Sequence, residues 1–103
     1  MTINVSDKLD EVVETSDVPV LAYFSADWCG PCRVFRPRMD ALAKDSDEFV
    51  LVHIDIDENS ELTEEYNVRS VPTVVGFVGG EEGDRFNGVT SNSRVQEFIE
   101  GLK

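Results

Sequence analysis

Apolar residues along this chain recur at two different spacings, which separate the predicted strands from the predicted helices. Val18–Phe24 is an almost unbroken apolar run and predicts a buried strand over 18–25. Further strands are predicted where apolar positions alternate or follow a glycine-rich turn: 49–55, 73–78 and, after the turn at 79–83, the antiparallel partner 84–87.

Four other segments repeat apolar residues every three or four positions, as amphipathic helices do. They span 6–15, 29–44, 59–66 and 91–102. Ser6 is placed to cap the first of them, and Pro37 is expected to bend the second. Strand–helix–strand followed by hairpin–helix predicts an α/β fold in which helices cover both faces of a central mixed sheet. With 103 residues, we expect a single domain over 1–103.

The composition limits the kinds of partner that the protein is expected to bind. The chain carries 21 acidic and 9 basic residues, a net charge of −12, and such a surface repels nucleic acid. No apolar stretch approaches the ~18 residues of a membrane span, and residues 1–7 lack the pattern of a signal peptide, so we expect a cytoplasmic protein without membrane contact. The acid-rich, lysine-poor balance fits a salt-rich cytoplasm, which screens self-repulsion, and ordinary solubility equally well.

Both cysteines lie in one five-residue segment, Trp28-Cys29-Gly30-Pro31-Cys32, directly after the apolar run. A strand that ends in Cys-x-x-Cys and continues as a helix is typical of a dithiol that opens and closes as a disulfide. Two intervening residues let that disulfide close across the first helical turn. The alternative is half of a zinc site, but zinc needs four ligands and His53 supplies only a third.

The helix start predicts different roles for the two sulfurs. Unpaired backbone N–H groups and the helix dipole stabilise a thiolate at Cys29, whose pKa should fall below the ~8.5 of a free cysteine. We therefore expect Cys29 to be the exposed nucleophile that forms a mixed disulfide with the substrate. Cys32, one turn further, is expected to be the shielded thiol that resolves it. Trp28 should present an aromatic surface beside the disulfide for substrate contact rather than lie in the core.

The segment 28–32 is identical to the active-site motif of the thioredoxin family, and the chain resembles that family over essentially its full length. Val71-Pro72-Thr73 lies where the family has a cis-proline, and Gly88 lies where it has a glycine on the substrate-facing surface. The resemblance implies the thioredoxin fold and a monomeric protein-disulfide reductase with no bound cofactor or metal. Its substrates would be disulfide-containing proteins, and its electrons would come from a thioredoxin reductase or an equivalent donor. A cis Pro72 would leave the Val71 backbone free to pair with a substrate strand, the alternative being an ordinary trans-proline that enters a strand.

Gly30 and Pro31 imply, by the same resemblance, a strongly reducing protein. Proline at an early helical position has its φ already fixed and loses no useful N–H. The potential known for thioredoxin is about −270 mV, whereas a value above about −200 mV is typical of isomerases and oxidases. An oxidase or isomerase on the same fold is the first alternative function. A non-catalytic binding subunit that uses the face around Trp28 is the second.

Three positions depart from the family pattern. Tyr23 stands where thioredoxins have a buried aspartate, His53 where they have its lysine companion, and Ser25 where they have a further tryptophan. In the family, that aspartate is assigned the role of accepting the proton of the second cysteine. A tyrosine, with a pKa near 10, is a poor base at neutral pH. Either His53 accepts this proton, or His53 and Tyr23 form a neutral hydrogen-bonded pair while water accepts it. We favour the second interpretation.

Charged residues around the motif have less specific roles. Three of the basic residues, Arg33, Arg36 and Arg38, fall on the predicted helix 29–44. They either favour acidic partners and support the thiolate from a distance, or relieve repulsion among carboxylates on a solvated face, and the latter is favoured. Asp57 matches a family position close to the motif tryptophan.

Overall fold

The structure, a computed structural model, describes residues 2–3 and 8–103. Its elements are β1 (Thr2–Ile3), α1 (Leu9–Thr15), β2 (Val20–Ser25), α2 (Gly30–Lys44), β3 (Val50–Asp55), α3 (Ser60–Glu65), β4 (Thr73–Val78), β5 (Glu81–Asn87) and α4 (Asn92–Leu102). The strands form one sheet in the order β1-β3-β2-β4-β5. β1, β3 and β2 are parallel, β4 is antiparallel to β2, and β5 is antiparallel to β4. This mixed sheet, with helices beside it, confirms the predicted fold class.

The alternation of side chains along β2 divides the hydrophobic core into two halves. Leu21 and Tyr23 point to the face covered by α2 and α4, where they pack with residues such as Phe35 and Ile99. The alternate residues of β2 point to the opposite face, which α1 and α3 cover. All six residues of β2 are therefore buried, which explains its nearly continuous apolar run. The C-terminal end of this central strand leads directly into the cysteine segment.

β2 and β3 begin two and one residues later than predicted, and two other strands differ more from the sequence prediction. β1 has no predicted counterpart, because a strand of two residues shows no periodicity. β5 begins at Glu81 rather than Asp84, since its first residues are polar and exposed although their backbone pairs with β4. The turn itself is formed by Gly79 and Gly80, both at positive φ, where glycine carries no steric cost.

The helices lie where the periodicity predicts, with small shifts at their ends. α1 begins at Leu9, and the proposed cap Ser6 lies outside the described residues. Pro37 lies inside α2, as predicted. α4 is capped by Ser91, whose hydroxyl accepts a hydrogen bond from the backbone N–H of Arg94 at 3.2 Å. In the described part of the chain, no helix combines the length and the apolar character needed to cross a membrane.

Candidate active site

The end of β2 and the start of α2 position the two cysteines. Cys29 is the cap residue of α2 and has an extended backbone, and Gly30 and Pro31 follow as the first helical residues. Pro31 costs nothing there, because an N–H in the first helical turn has no intrahelical acceptor. Cys29 and Cys32 are joined as a disulfide, with their Cα atoms 5.3 Å apart. The disulfide closes across the first turn of the helix, as predicted.

The sulfur of Cys29 lies at the positive end of a helix. Its Sγ accepts a hydrogen bond from the backbone N–H of Cys32, 3.2 Å away. The free N–H groups of the first turn and the dipole of this 15-residue helix both favour negative charge at that point. Once the disulfide is reduced, the same N–H is placed to stabilise a thiolate on Cys29.

Both cysteines are nearly buried in the disulfide state, with 4% of Cys29 and 3% of Cys32 exposed. The expectation of an exposed Cys29 is therefore wrong for this state, because both residues pack with Ala26, and Ile56 and Val71 lie against them. Position rather than exposure distinguishes the two cysteines. Cys29 adjoins the surface loop that precedes α2, whereas Cys32 is part of the helix.

The loop before α2 presents Trp28 to solvent. Trp28 is 65% exposed, which confirms that it is not a core tryptophan. Its indole Nε1 donates a hydrogen bond to the Asp57 carboxylate at 2.9 Å, so the position that the resemblance places near the tryptophan does contact it. The Arg33 guanidinium donates two hydrogen bonds, of 2.8 and 3.1 Å, to the carbonyl oxygen of Asp27. These contacts join the loop to α2 and to the turn after β3.

A second loop approaches the disulfide from the side of β4. The Val71–Pro72 peptide bond is cis, as predicted. The carbonyl oxygen of Val71 lies 3.7 Å from Cys29 Sγ, and the carbonyl oxygen of Pro72 accepts a hydrogen bond from the Gly88 N–H at 2.8 Å. Gly88 has a φ of 82°, a conformation that favours glycine. The structure thus brings Val71, Pro72 and Gly88 together next to the disulfide.

Tyr23 lies on the inner side of the cysteines. Its side chain is fully buried, and its hydroxyl donates a hydrogen bond to the backbone carbonyl of Cys32 at 3.3 Å. Burial raises the pKa of Tyr23 to about 12, although the positive charge of Arg36 acts in the opposite direction. Tyr23 is therefore neutral at physiological pH and does not take up a proton from Cys32.

His53 does not form the predicted hydrogen bond with Tyr23. The two rings pack edge to face, with centroids 5.6 Å apart. Instead His53 Nε2 pairs with Asp40 Oδ1 at 2.6 Å, while Nδ1 is buried and has no hydrogen-bond partner. Burial lowers the pKa of His53, and the hydrogen bond to Asp40 opposes that effect.

Asp40 is the residue that sequence reasoning missed in this region. Its spacing contains a signal, because Cys32, Arg36 and Asp40 recur every four residues and so share one side of α2. The spacing does not show which strand packs against that side of α2. No three acidic, histidine or cysteine side chains in the described residues are grouped so as to hold a metal ion.

Comparisons with known proteins give the family. The sequence profile named Thioredoxin matches residues 1–101. The chain belongs to the thioredoxin family. The thioredoxin of Rickettsia bellii is 42% identical over 101 residues, which cover 96% of each chain. The mitochondrial thioredoxin of Mus musculus is 36% identical over 98% of this chain, but the chain spans only 63% of that protein.

A solved structure agrees with this assignment over the whole fold. A thioredoxin variant from Halobacterium salinarum superposes with a TM-score of 0.87 at 36% identity, over 99% of this chain and 88% of that one. Thioredoxins are thiol–disulfide oxidoreductases, and the Cys29–Cys32 disulfide stands at the active-site position of that family.

Proposed function

We propose that this protein is a protein-disulfide reductase that works by dithiol–disulfide exchange through Cys29 and Cys32. The observation that carries the proposal is the disulfide at the start of α2, where the N–H of Cys32 points at the sulfur of Cys29. A thiolate stabilised in this way forms near neutral pH, which favours its attack on a disulfide.

The reaction has two exchange steps. In the first, the Cys29 thiolate attacks one sulfur of a substrate disulfide, the substrate S–S bond breaks, and the departing sulfur leaves as a thiolate. In the second, Cys32 loses its proton and attacks Cys29, which releases the reduced substrate and forms the Cys29–Cys32 disulfide. Two electrons pass from the dithiol to the substrate.

The loops beside the disulfide supply the substrate surface. The exposed indole of Trp28 offers apolar contact area next to Cys29. The Val71 backbone approaches Cys29 Sγ, and we assign to it the role of pairing with an extended substrate segment. Pro72 and Gly88, hydrogen-bonded to each other, form the adjoining part of that surface.

The protein acts as an electron carrier in cell redox homeostasis, in the cytoplasm and as a monomer. No bound cofactor is needed, because the redox centre consists of two side chains. Each turnover leaves the disulfide, so two electrons must come from a thioredoxin reductase or an equivalent donor. The net charge of −12 supports protein substrates rather than nucleic acid.

An insulin turbidity assay with dithiothreitol tests the function. The wild-type protein is expected to accelerate insulin precipitation, and Cys29→Ser and Cys32→Ser to abolish the acceleration. Gly30 and Pro31 between the cysteines support a potential close to that of thioredoxin, about −270 mV. A measured value above about −200 mV would indicate an oxidase or isomerase instead. Full biological function of the Cys29→Ser/Cys32→Ser variant would indicate a non-catalytic binding subunit.

A further inference from the structure

Two adjoining clefts lie between α2 and the ends of β2 and β3. One has a volume of about 290 Å³ and is bordered by Cys32. The other has a volume of about 250 Å³ and is bordered by His53. Ser25, Asp27 and Arg36 line both, so the cleft beside Cys32 adjoins the cleft beside His53 along these three polar side chains. Each cleft has room for several water molecules at about 30 Å³ each.

Arg36 is the cation common to both clefts. It follows Cys32 by four residues on the same side of α2, and its only ion pair within the described chain is long, 4.0 Å from Nε to Asp40 Oδ2. Its charge opposes the rise in the pKa of Tyr23 that burial causes, and adds to the burial-driven lowering of the pKa of His53. The field of Arg36 therefore reaches Tyr23, which is hydrogen-bonded to the Cys32 carbonyl, and His53, which packs against Tyr23.

Cys32 needs such a field in the second exchange step. It must lose its proton, yet only 3% of the residue is exposed, and burial disfavours a thiolate. The buried carboxylate of the family is replaced by Tyr23, which is neutral and whose hydroxyl donates to the carbonyl of Cys32. A neighbouring cation can stabilise the thiolate where no neighbouring base takes the proton.

We propose that Arg36 stabilises the thiolate of Cys32 during the second exchange step, while water in the shared cleft carries the proton to solvent. This inference rests on the proposed reductase function. The S–H bond of Cys32 breaks, its proton passes to water, and the sulfur electron pair attacks Cys29 Sγ. The substrate sulfur then leaves with the electron pair of the mixed disulfide.

The other charged groups of the clefts are engaged elsewhere or are anionic. They are Arg33 on α2, Asp27 in the loop after β2, and Asp55 and Glu58 at the end of β3. Arg33 donates two hydrogen bonds to the Asp27 carbonyl, and the Asp55 carboxylate accepts hydrogen bonds from two backbone N–H groups. Asp40, next to the clefts, is paired with His53. Of the two arginines, Arg36 is the one that lines both clefts and is not held by the Asp27 carbonyl.

Alkylation of Cys32 tests the proposal directly. In a Cys29→Ser background Cys32 is the only thiol, so the pH dependence of its reaction with iodoacetamide gives its pKa. An opposite charge within ~4–6 Å lowers a pKa by about 1–3 units, and less where the cation is half exposed, as Arg36 is. We expect Arg36→Gln to raise the Cys32 pKa by about half a unit, which slows alkylation near neutral pH about threefold. Arg36→Lys should restore most of the wild-type value.

Arg94→Gln is the matched control, because it removes one positive charge from an exposed residue of α4. Equal Cys32 pKa values in Arg36→Gln and Arg94→Gln would overturn the proposal. A shift that follows His53→Gln but not Arg36→Gln would also overturn it, and would assign the role to the His53–Asp40 pair. These titrations require no turnover. Failure of the reductase function in the insulin assay is therefore distinguishable from failure of the role of Arg36.

Discussion

At the scale of single residues, Tyr23 replaces a buried charge with a buried neutral group. Its side chain is fully buried, its ring packs edge-on against Phe35 and His53, and its hydroxyl is bonded to the Cys32 carbonyl. An aspartate at this position would leave part of that space empty and would carry its charge into an apolar environment. We expect Tyr23→Asp to lower the free energy of unfolding by about 2 kcal/mol or more.

Urea unfolding of the oxidised protein measures this change. Tyr23→Phe is the matched control, since it removes only the hydroxyl and should cost about 1 kcal/mol. A urea midpoint that rises in Tyr23→Asp would show that the site prefers a carboxylate after all.

His53 is the only histidine of the chain, so its titration can be isolated. Burial lowers the pKa of His53 in the folded state, although Asp40 opposes this. As the pH falls below about 6.5, the unfolded state therefore binds the proton before the folded state does. Stability should decrease from that pH downward until the folded pKa is passed, with a slope of no more than about 1.4 kcal/mol per pH unit.

Unfolding curves from about pH 7.5 to about pH 5 test this expectation when wild type is compared with His53→Gln. The difference between the two proteins removes the contribution of the carboxylates that do not contact His53, and isolates the His53–Asp40 pair. A difference that does not change with pH would mean that His53 titrates alike in both states.

At the scale of elements, Arg38 ties α2 to the start of α4. Its Nη2 donates to the carbonyl of Thr90 at 2.5 Å and to Asn92 Oδ1 at 3.0 Å, and its guanidinium lies 5.4 Å from the centre of the Phe35 ring. Hydrogen bonds from a charged donor stabilise more than neutral ones. We expect Arg38→Ala to lower the free energy of unfolding by about 1.5 kcal/mol.

The same change should speed amide hydrogen exchange in the first turn of α4, reported by the Val95 N–H that bonds to Ser91. Arg94→Ala provides the charge-matched control, with an expected effect within about 0.5 kcal/mol. If both variants unfold at the same urea concentration, Arg38 contributes only its charge.

The periodicity of apolar residues predicted the strands and helices that bury an apolar face. It did not predict the full extent of the strand that has no such face. In the buried strands and the amphipathic helices, the spacing of apolar residues indicates which face is buried. In β5 it does not, because Glu81 and Glu82 lie on an exposed edge strand and join the sheet there through backbone pairing with β4. The cysteine motif likewise indicated its own local chemistry, since the helix cap at Cys29 follows from residues adjacent in the chain.

Contacts between distant segments were beyond the reach of the sequence. Asp40 on α2 and His53 on β3 meet only because the helix packs over that strand, and neither residue alone predicts the other. The hydrogen bond from Tyr23 to the Cys32 carbonyl depends on the same packing. Motif resemblance could say what Tyr23 and His53 replace, but not what they contact.

At the scale of the whole molecule, negative charge dominates the surface. The sequence has 21 acidic against 9 basic residues. The ion pairs among the described residues involve four carboxylates, those of Asp40, Glu48, Glu82 and Glu100. Most carboxylates therefore lack a cation nearby, and their mutual repulsion opposes the compact state more than the expanded unfolded chain.

We expect the urea midpoint to rise as potassium chloride increases from about 0.01 M to about 1 M, because the screening length falls from about 30 Å to about 3 Å. Urea is the appropriate denaturant, since it adds no ions, and an unchanged m-value would show that the stability itself has increased. Sodium chloride should act equally well if screening is the cause. Glu82→Gln offers a matched comparison with Glu81→Gln on the same exposed strand, because Glu82 is paired with Arg85 at 2.9 Å whereas Glu81 has no ion pair among the described residues. At low salt, Glu81→Gln should raise the midpoint and Glu82→Gln should not. A midpoint that stays flat or falls with added salt would mean that self-repulsion does not limit the stability of this protein.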